Sequence, residues 1–129
     1  VHGDLFWDNL LFRGERLAAM LDFEEACQTH LLFDLGMCAA GCCSTGSMLD
    51  MDLTAALVRG YQKVRKLKTI EQSSLRAFIV YGATCTSFWR YRQFNLLRPD
   101  PEKKDHYLEM SRLADSVQRI EESAFTQLF

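Results

Sequence analysis

The sequence predicts a mostly helical chain of the α+β class, with a single small β-hairpin near residues 10–22 and a helical bundle after it. Three observations carry that expectation. Two short apolar runs, Leu10-Leu11-Phe12 and Leu17 to Leu21, flank the turn-forming Arg13-Gly14-Glu15-Arg16. From Leu35 onward apolar residues recur at helical spacing, between polar breaks that carry capping residues. At 129 residues, 48% hydrophobic and 25% charged, the chain has the size and ordinary composition of one globular unit with a sizeable core.

Residues 2–9 read as a loop, because their polar groups must converge on one place instead of following one face. Gly14 permits the positive φ that a tight turn often needs, and the hairpin carries Asp22 back towards Asn9. Residues Leu35 to Cys43 are small and apolar, suited to a closely packed core helix, and Ser44-Thr45-Gly46-Ser47 breaks it. Asp50 or Asp52 can cap the next helix, on which Leu53, Leu57, Tyr61 and Val64 recur at helical spacing. The basic cluster Lys63, Arg65, Lys66 and Lys68 near its end suits the helix dipole. Thr69-Ile70-Glu71-Gln72 reads as a capping box opening a long helix to about Asn95. Its apolar centre, Phe78 to Trp89, is too short and interrupted to span a bilayer. Asp100-Pro101 is expected to start the last helix, with Met110, Leu113, Val117, Ile120 and Ala124 as its buried stripe and Phe125 and Phe129 docking its end.

Several function classes lose support from composition. A net charge of −2, without charge runs, makes no electrostatic case for nucleic acid or an anionic membrane. The five cysteines are odd in number and no secretory segment precedes them, so reduced thiols in a cytoplasmic protein are expected. Cys38 and Cys42 stand one helical turn apart, but without a Cys-x-x-Cys pair or nearby His they read as small buried thiols, not a structural metal site.

The chemistry lies at the start of the chain, in Val1-His2-Gly3-Asp4-Leu5-Phe6-Trp7-Asp8-Asn9 followed by Leu21-Asp22-Phe23. Phosphoryl transfer asks little covalent chemistry of a protein; it needs positioning and neutralisation of phosphate charge. One carboxylate must face an acceptor hydroxyl, and oxygen ligands must hold Mg²⁺ against nucleotide phosphates. Asp4 suits the first task, Asn9 and Asp22 the second. Asp8, beside Asn9, is open to a second ligand role, but reads first as a solvated loop carboxylate. His2 is open to a general-base role or to bracing the loop.

The order and spacing resemble the catalytic loop and metal-binding Asp-Phe turn of the protein-kinase-like fold. Gly3 stands where protein kinases usually carry Arg, Glu24 follows Asp22-Phe23 in place of Gly, and no activation segment separates Asp22 from the helical pattern at Phe33. With Phe33-Asp34-Leu35-Gly36, these features resemble the aminoglycoside phosphotransferase and choline kinase superfamily. Asp22-Phe23 to Ala26-Cys27 and Phe33 to Cys38 look most like its homoserine kinase branch.

That resemblance implies an ATP- and Mg²⁺-dependent kinase of a small-metabolite hydroxyl, with homoserine, a precursor in threonine biosynthesis, as the first acceptor. Choline-like, aminoglycoside and sugar acceptors, or a non-catalytic binding module of the same fold, stay open. It makes Asp4 the acceptor-facing group, Asn9 and Asp22 the ligands of metal and nucleotide, and His2 and Asp34 the supports of the loop. Glu24 and Glu25 are open to shaping the acceptor side or to being a solvated pair. Arg90 could fork a substrate carboxylate or simply end a helix in water. No Gly-rich phosphate loop or strand Lys can be placed in residues 1–129. The whole chain therefore reads as the C-terminal-lobe portion of a larger enzyme, inactive without its N-lobe.

Overall fold

The computed structural model describes residues 1–129 as a helical body with two small hairpins on it. Strand β1 (Leu10–Arg13) pairs antiparallel with β2 (Arg16–Met20), Leu10 opposite Met20, with a bulge between Leu11 and Phe12. Gly14 turns this hairpin at φ 60°, in the region that glycine enters at least cost. Helix α1 (Leu32–Cys42) follows. The Ser44–Ser47 stretch does more than break it: β3 (Ser44–Thr45) and β4 (Met48–Leu49) form a second antiparallel hairpin, so the expected single hairpin becomes two.

Helix α2 (Met51–Val64) is capped by Asp50, whose Oδ1 accepts from the amides of Asp52 and Leu53 at 2.9 Å each. Its buried face is centred on Thr54 and Val58, rotated from the apolar stripe read in the sequence; Leu53 is half exposed and Val64 is 93% exposed. Thr54 can enter the core because its hydroxyl donates to the Asp50 carbonyl.

Helix α3 (Thr69–Tyr91) runs on into a π-helical turn, Arg92–Leu97, close to the length expected. Its cap position is Lys68, not Thr69. Glu71 accepts from the Lys68 amide at 2.8 Å, but a lysine side chain has no acceptor to return. Only half of the capping box forms. The other Glu71 oxygen pairs with Arg65, the C-cap residue of α2, so this cation also braces the start of α3.

Pro101 opens a series of turns through His106, linked by bonds from Lys103 N to Asp100 O and from His106 N to Lys103 O. The helix expected there starts later, as α4 (Tyr107–Gln118), and α5 (Glu122–Thr126) is separate. Met110, Leu113 and Val117 are buried as the periodicity requires, but Ile120 and Ala124 fall beyond α4 and are half-buried. Leu128, not Phe129, joins Phe125 in the core.

α3 is the central helix, packed by α1 on one side and α4 on the other. Leu32 and Leu35 of α1, Leu75 and Ile79 of α3, and Leu113 and Val117 of α4 share one buried cluster. At the α1–α3 crossing the backbones nearly touch. A Cβ on Gly36 would sit 2.5 Å from the Phe78 carbonyl oxygen, and one on Gly82 3.2 Å from Met37 Cα. Gly36→Ala should therefore destabilise the fold by about 1–3 kcal/mol. Gly60→Ala, in a helix position where an added Cβ meets nothing within 4 Å, should stabilise it by up to about 1 kcal/mol. Urea unfolding of the two variants checks the contrast.

Candidate active site

The site is built where the opening loop lies along α1. Asp34, in the first turn of that helix, accepts the His2 amide on Oδ2 at 2.8 Å and the Gly3 amide on Oδ1 at 2.9 Å. It is not the helix cap; both oxygens go to the loop. Gly3 takes φ 91°, and a Cβ there would stand 2.5 Å from the Glu25 carbonyl oxygen, so the position excludes every side chain. The buried His2 ring joins the opening loop to the Leu21–Phe23 stretch. Nε2 contacts the Leu21 carbonyl at 2.8 Å, Nδ1 accepts the Asp4 amide at 3.3 Å, and Phe23 packs on the ring face. Those partners require the tautomer with its proton on Nε2 and leave neither nitrogen to face a substrate.

Asn9 stands behind Asp4. Its Nδ2 donates to the Asp4 carbonyl and to Oδ2 of the Asp4 carboxylate, both at 2.9 Å, and the Leu21 amide donates to the Asn9 carbonyl at 2.9 Å. The hairpin is thus closed back onto the loop at its base, which delivers Asp22. Asp22 holds φ 59° and is the only non-glycine residue with positive φ, an arrangement costing about 1–3 kcal/mol. Its one hydrogen bond is a long one, Glu24 N to Oδ1 at 3.5 Å. The other carboxylate oxygen is free.

Asp4, Asp8, Asp22, Glu24, Glu25 and Arg90 all line one cavity of about 560 Å³. His2, Asn9 and Asp34 lie outside the lining and support it from behind. Asp8, which the sequence suggested was merely solvated, faces the same space. The apolar wall was not named from the sequence: Phe33 and Met37 of α1, then Tyr81, Cys85 and Trp89 of α3. Its signal was present, since each set recurs every fourth residue, the spacing of one helix face. All five cysteines are free, and the Cys42 thiol donates to the Leu5 carbonyl at 3.8 Å, tying the loop to the far end of α1.

Electrostatically the site lacks positive charge. Burial pushes the Asp4 carboxyl above its usual range; the Asn9 hydrogen bond opposes the shift, Asp8 adds to it, His2 opposes it, and Asp22 adds to it. Arg90 is the one cation in the lining, and it is paired with Glu109 at 2.8 Å.

The family model described as "Phosphotransferase enzyme family" matches residues 1–67, just over half of the chain. The chain belongs to that family. The chain is 38% identical over 76 residues to a homoserine kinase of Methylobacterium radiotolerans, an alignment covering 58% of the chain and 24% of that protein. It is 40% identical over 76 residues to one of Brucella anthropi, covering 58% and 23%, and 37% identical over 84 residues to one of Beijerinckia indica, covering 64% and 26%. Within the family the likeness is to the homoserine kinase branch. The chain spans about a quarter of the length of these curated relatives in the matched region. The matched family residues contain the loop, the hairpin, Asp22 and Asp34; Arg90 and the α3 wall lie beyond them.

The Asp4 environment has a titration signature. Carbon NMR of its carboxyl should give a midpoint above that of an ordinary aspartate. Asn9→Ala removes a donor to the charged form and should raise the midpoint further, whereas Asp8→Asn removes a like charge and should lower it. Because the folded value is raised, Asp4's contribution to stability should decline as pH rises from the unfolded value through the folded one.

Proposed function

We propose that residues 1–129 form the C-terminal-lobe portion of a longer ATP- and Mg²⁺-dependent cytoplasmic kinase that converts homoserine to O-phosphohomoserine. The observation that carries this reading is that Asp4 and Asp22 line one cavity large enough for a small metabolite, with Asn9 bonded to the Asp4 carboxylate from just outside that lining. The names of the relatives supply homoserine as the first choice of acceptor. No helix is long and apolar enough to cross a membrane.

The donor set fits the cation. Mg²⁺ prefers carboxylate and amide oxygens, and Asp22 keeps a carboxylate oxygen free while Asn9, donating through Nδ2, keeps its amide oxygen free. Asp22 and Asn9 would hold the ion, which when bound supplies charge neutralisation for the nucleotide phosphates. The repulsion among Asp4, Asp8 and Asp22 is the physical reason the site would accept a cation.

Asp4 has two different oxygens. Oδ2 is fixed by Asn9, so Oδ1 is the one left to accept a hydrogen bond from the acceptor hydroxyl and take its proton as the oxygen becomes a nucleophile. Asp34 holds the backbone on which Asp4 stands, and His2 fixes the Asp4 amide. Phe33, Met37 and Tyr81 give the cavity an apolar wall on the side where the acceptor would sit.

A coupled ADP-release assay of the longer protein, with homoserine, choline, aminoglycoside and sugar acceptors, tests the reading. Turnover should be greatest with homoserine. Asp4→Asn should lower kcat about 10²-fold or more with little change in nucleotide affinity. Asp22→Asn should instead raise KM for Mg²⁺–ATP. Normal turnover by Asp4→Asn would refute the assignment. The 129-residue chain alone should give no product, since positioning of donor and acceptor is worth about 7–11 kcal/mol of barrier and the α- and β-phosphates have no cradle here.

A further inference from the structure

Arg90 lines the acceptor cavity from the end of α3, and only one of its terminal nitrogens is in use. Nη1 donates to the Glu109 carboxylate at 2.8 Å and to the His106 carbonyl at 3.3 Å, both from the α4 side. Nη2 and Nε have no protein partner. A guanidinium is a planar fork, so fixing one nitrogen fixes the direction of the remaining donors. Its side chain is 22% exposed, partly withdrawn from water, which strengthens any charge-assisted bond it makes.

The rest of the cavity gives this single cation its meaning. Asp4, Asp8, Asp22, Glu24 and Glu25 make the other polar lining strongly acidic. An acceptor with an ammonium group alone would find ample counter-charge there and no use for Arg90. An acceptor that also carries a carboxylate would be repelled everywhere except at Arg90. The two charges of an amino acid therefore match the two kinds of lining.

Resting on the proposed function above, we propose that the carboxylate of the homoserine acceptor is bound by the free edge of Arg90, and that Glu109 is the positioning residue that aims it. Glu109 touches no substrate; it orients the guanidinium and compensates part of its charge until the carboxylate arrives. Neither α4 nor Glu109 belongs to the loop-and-hairpin unit, so acceptor recognition and phosphate handling are carried by different parts of the chain.

The test compares two acceptors in the longer protein: L-homoserine, and propanolamine, which keeps the hydroxyl and ammonium but lacks the carboxylate. The readout is the preference for homoserine, as the ratio of the two kcat/KM values, with KM and kcat for homoserine recorded separately. Arg90→Met should reduce that preference about tenfold or more, through a raised KM for homoserine. Glu109→Ala should reduce it about two- to fivefold, and Glu109→Gln, which still offers an oxygen to Nη1, should restore most of the loss. A residue that merely holds α3 to α4 would affect both acceptors alike and leave the ratio unmoved. An unmoved ratio in Arg90→Met overturns this inference while the phosphotransferase reading stands. No phosphorylation of any hydroxyl acceptor by the unmodified protein overturns that reading, and this inference with it.

Discussion

The two hydrogen bonds from the amides of His2 and Gly3 to the Asp34 carboxylate are the constraint on which the site depends. A loop carrying convergent polar groups has no ladder of its own to hold it, and its backbone donors must be satisfied elsewhere. Asp34 satisfies two in succession, which fixes both the position and the direction of the chain entering Asp4. Its place in the first turn of α1 helps, since the positive end of the helix dipole favours a carboxylate there. The loop then follows α1 to the helix's far end. Phe6 lies over Gly41, where a Cβ would stand 2.6 Å from the ring, and the Cys42 thiol reaches the Leu5 carbonyl. One helix acts as a rail for the whole loop.

The same helix builds one wall of the cavity. The close α1–α3 approach at Gly36 and Gly82 places Phe33 and Met37 beside Tyr81 and Cys85, so that two helix faces make one wall opposite the carboxylates. Core packing and cavity shape are consequently one problem in this chain. The exposed apolar surface lies mainly elsewhere. Trp7 stacks on Phe12 at 5.2 Å, yet both are largely exposed, as are Leu11 and Leu17 of the same hairpin.

How much of this was legible in the sequence depended on how local the cause was. The hairpin is set by Arg13-Gly14-Glu15-Arg16, and the Asp50 cap by its own oxygen reaching amides two and three residues on. Both could be read. The opening motif could be read because its residues resemble a known loop, and the short hairpin returns Leu21, next to Asp22, to Asn9. What failed were features decided by partners distant in sequence or by small rotations. Leu53 and Val64 looked like a core stripe, but α2 meets the body along Thr54 and Val58. Arg65 is the helix-end cation the sequence suggests, but its ion pair to Glu71 at the start of α3 was not legible. Pro101 looked like a first-turn proline, though turns held through Asp100 delay α4 to Tyr107. The cavity wall was overlooked for a different reason. Tyr81, Cys85 and Trp89 are spaced as a helix face, but periodicity does not distinguish a face turned to the core from one turned to a pocket.

The most direct measurement is amide hydrogen exchange of this chain with and without Asp34→Ala. If the carboxylate is what holds the loop, protection of the His2 and Gly3 amides should collapse in the variant, and protection of Asp4 should fall with it. The amides of α3 around Leu75 and Ile79, deep in the core, should exchange as before. Unchanged protection at His2 and Gly3 would contradict the account. It would mean that the loop is held by its packing on α1 and the hairpin alone.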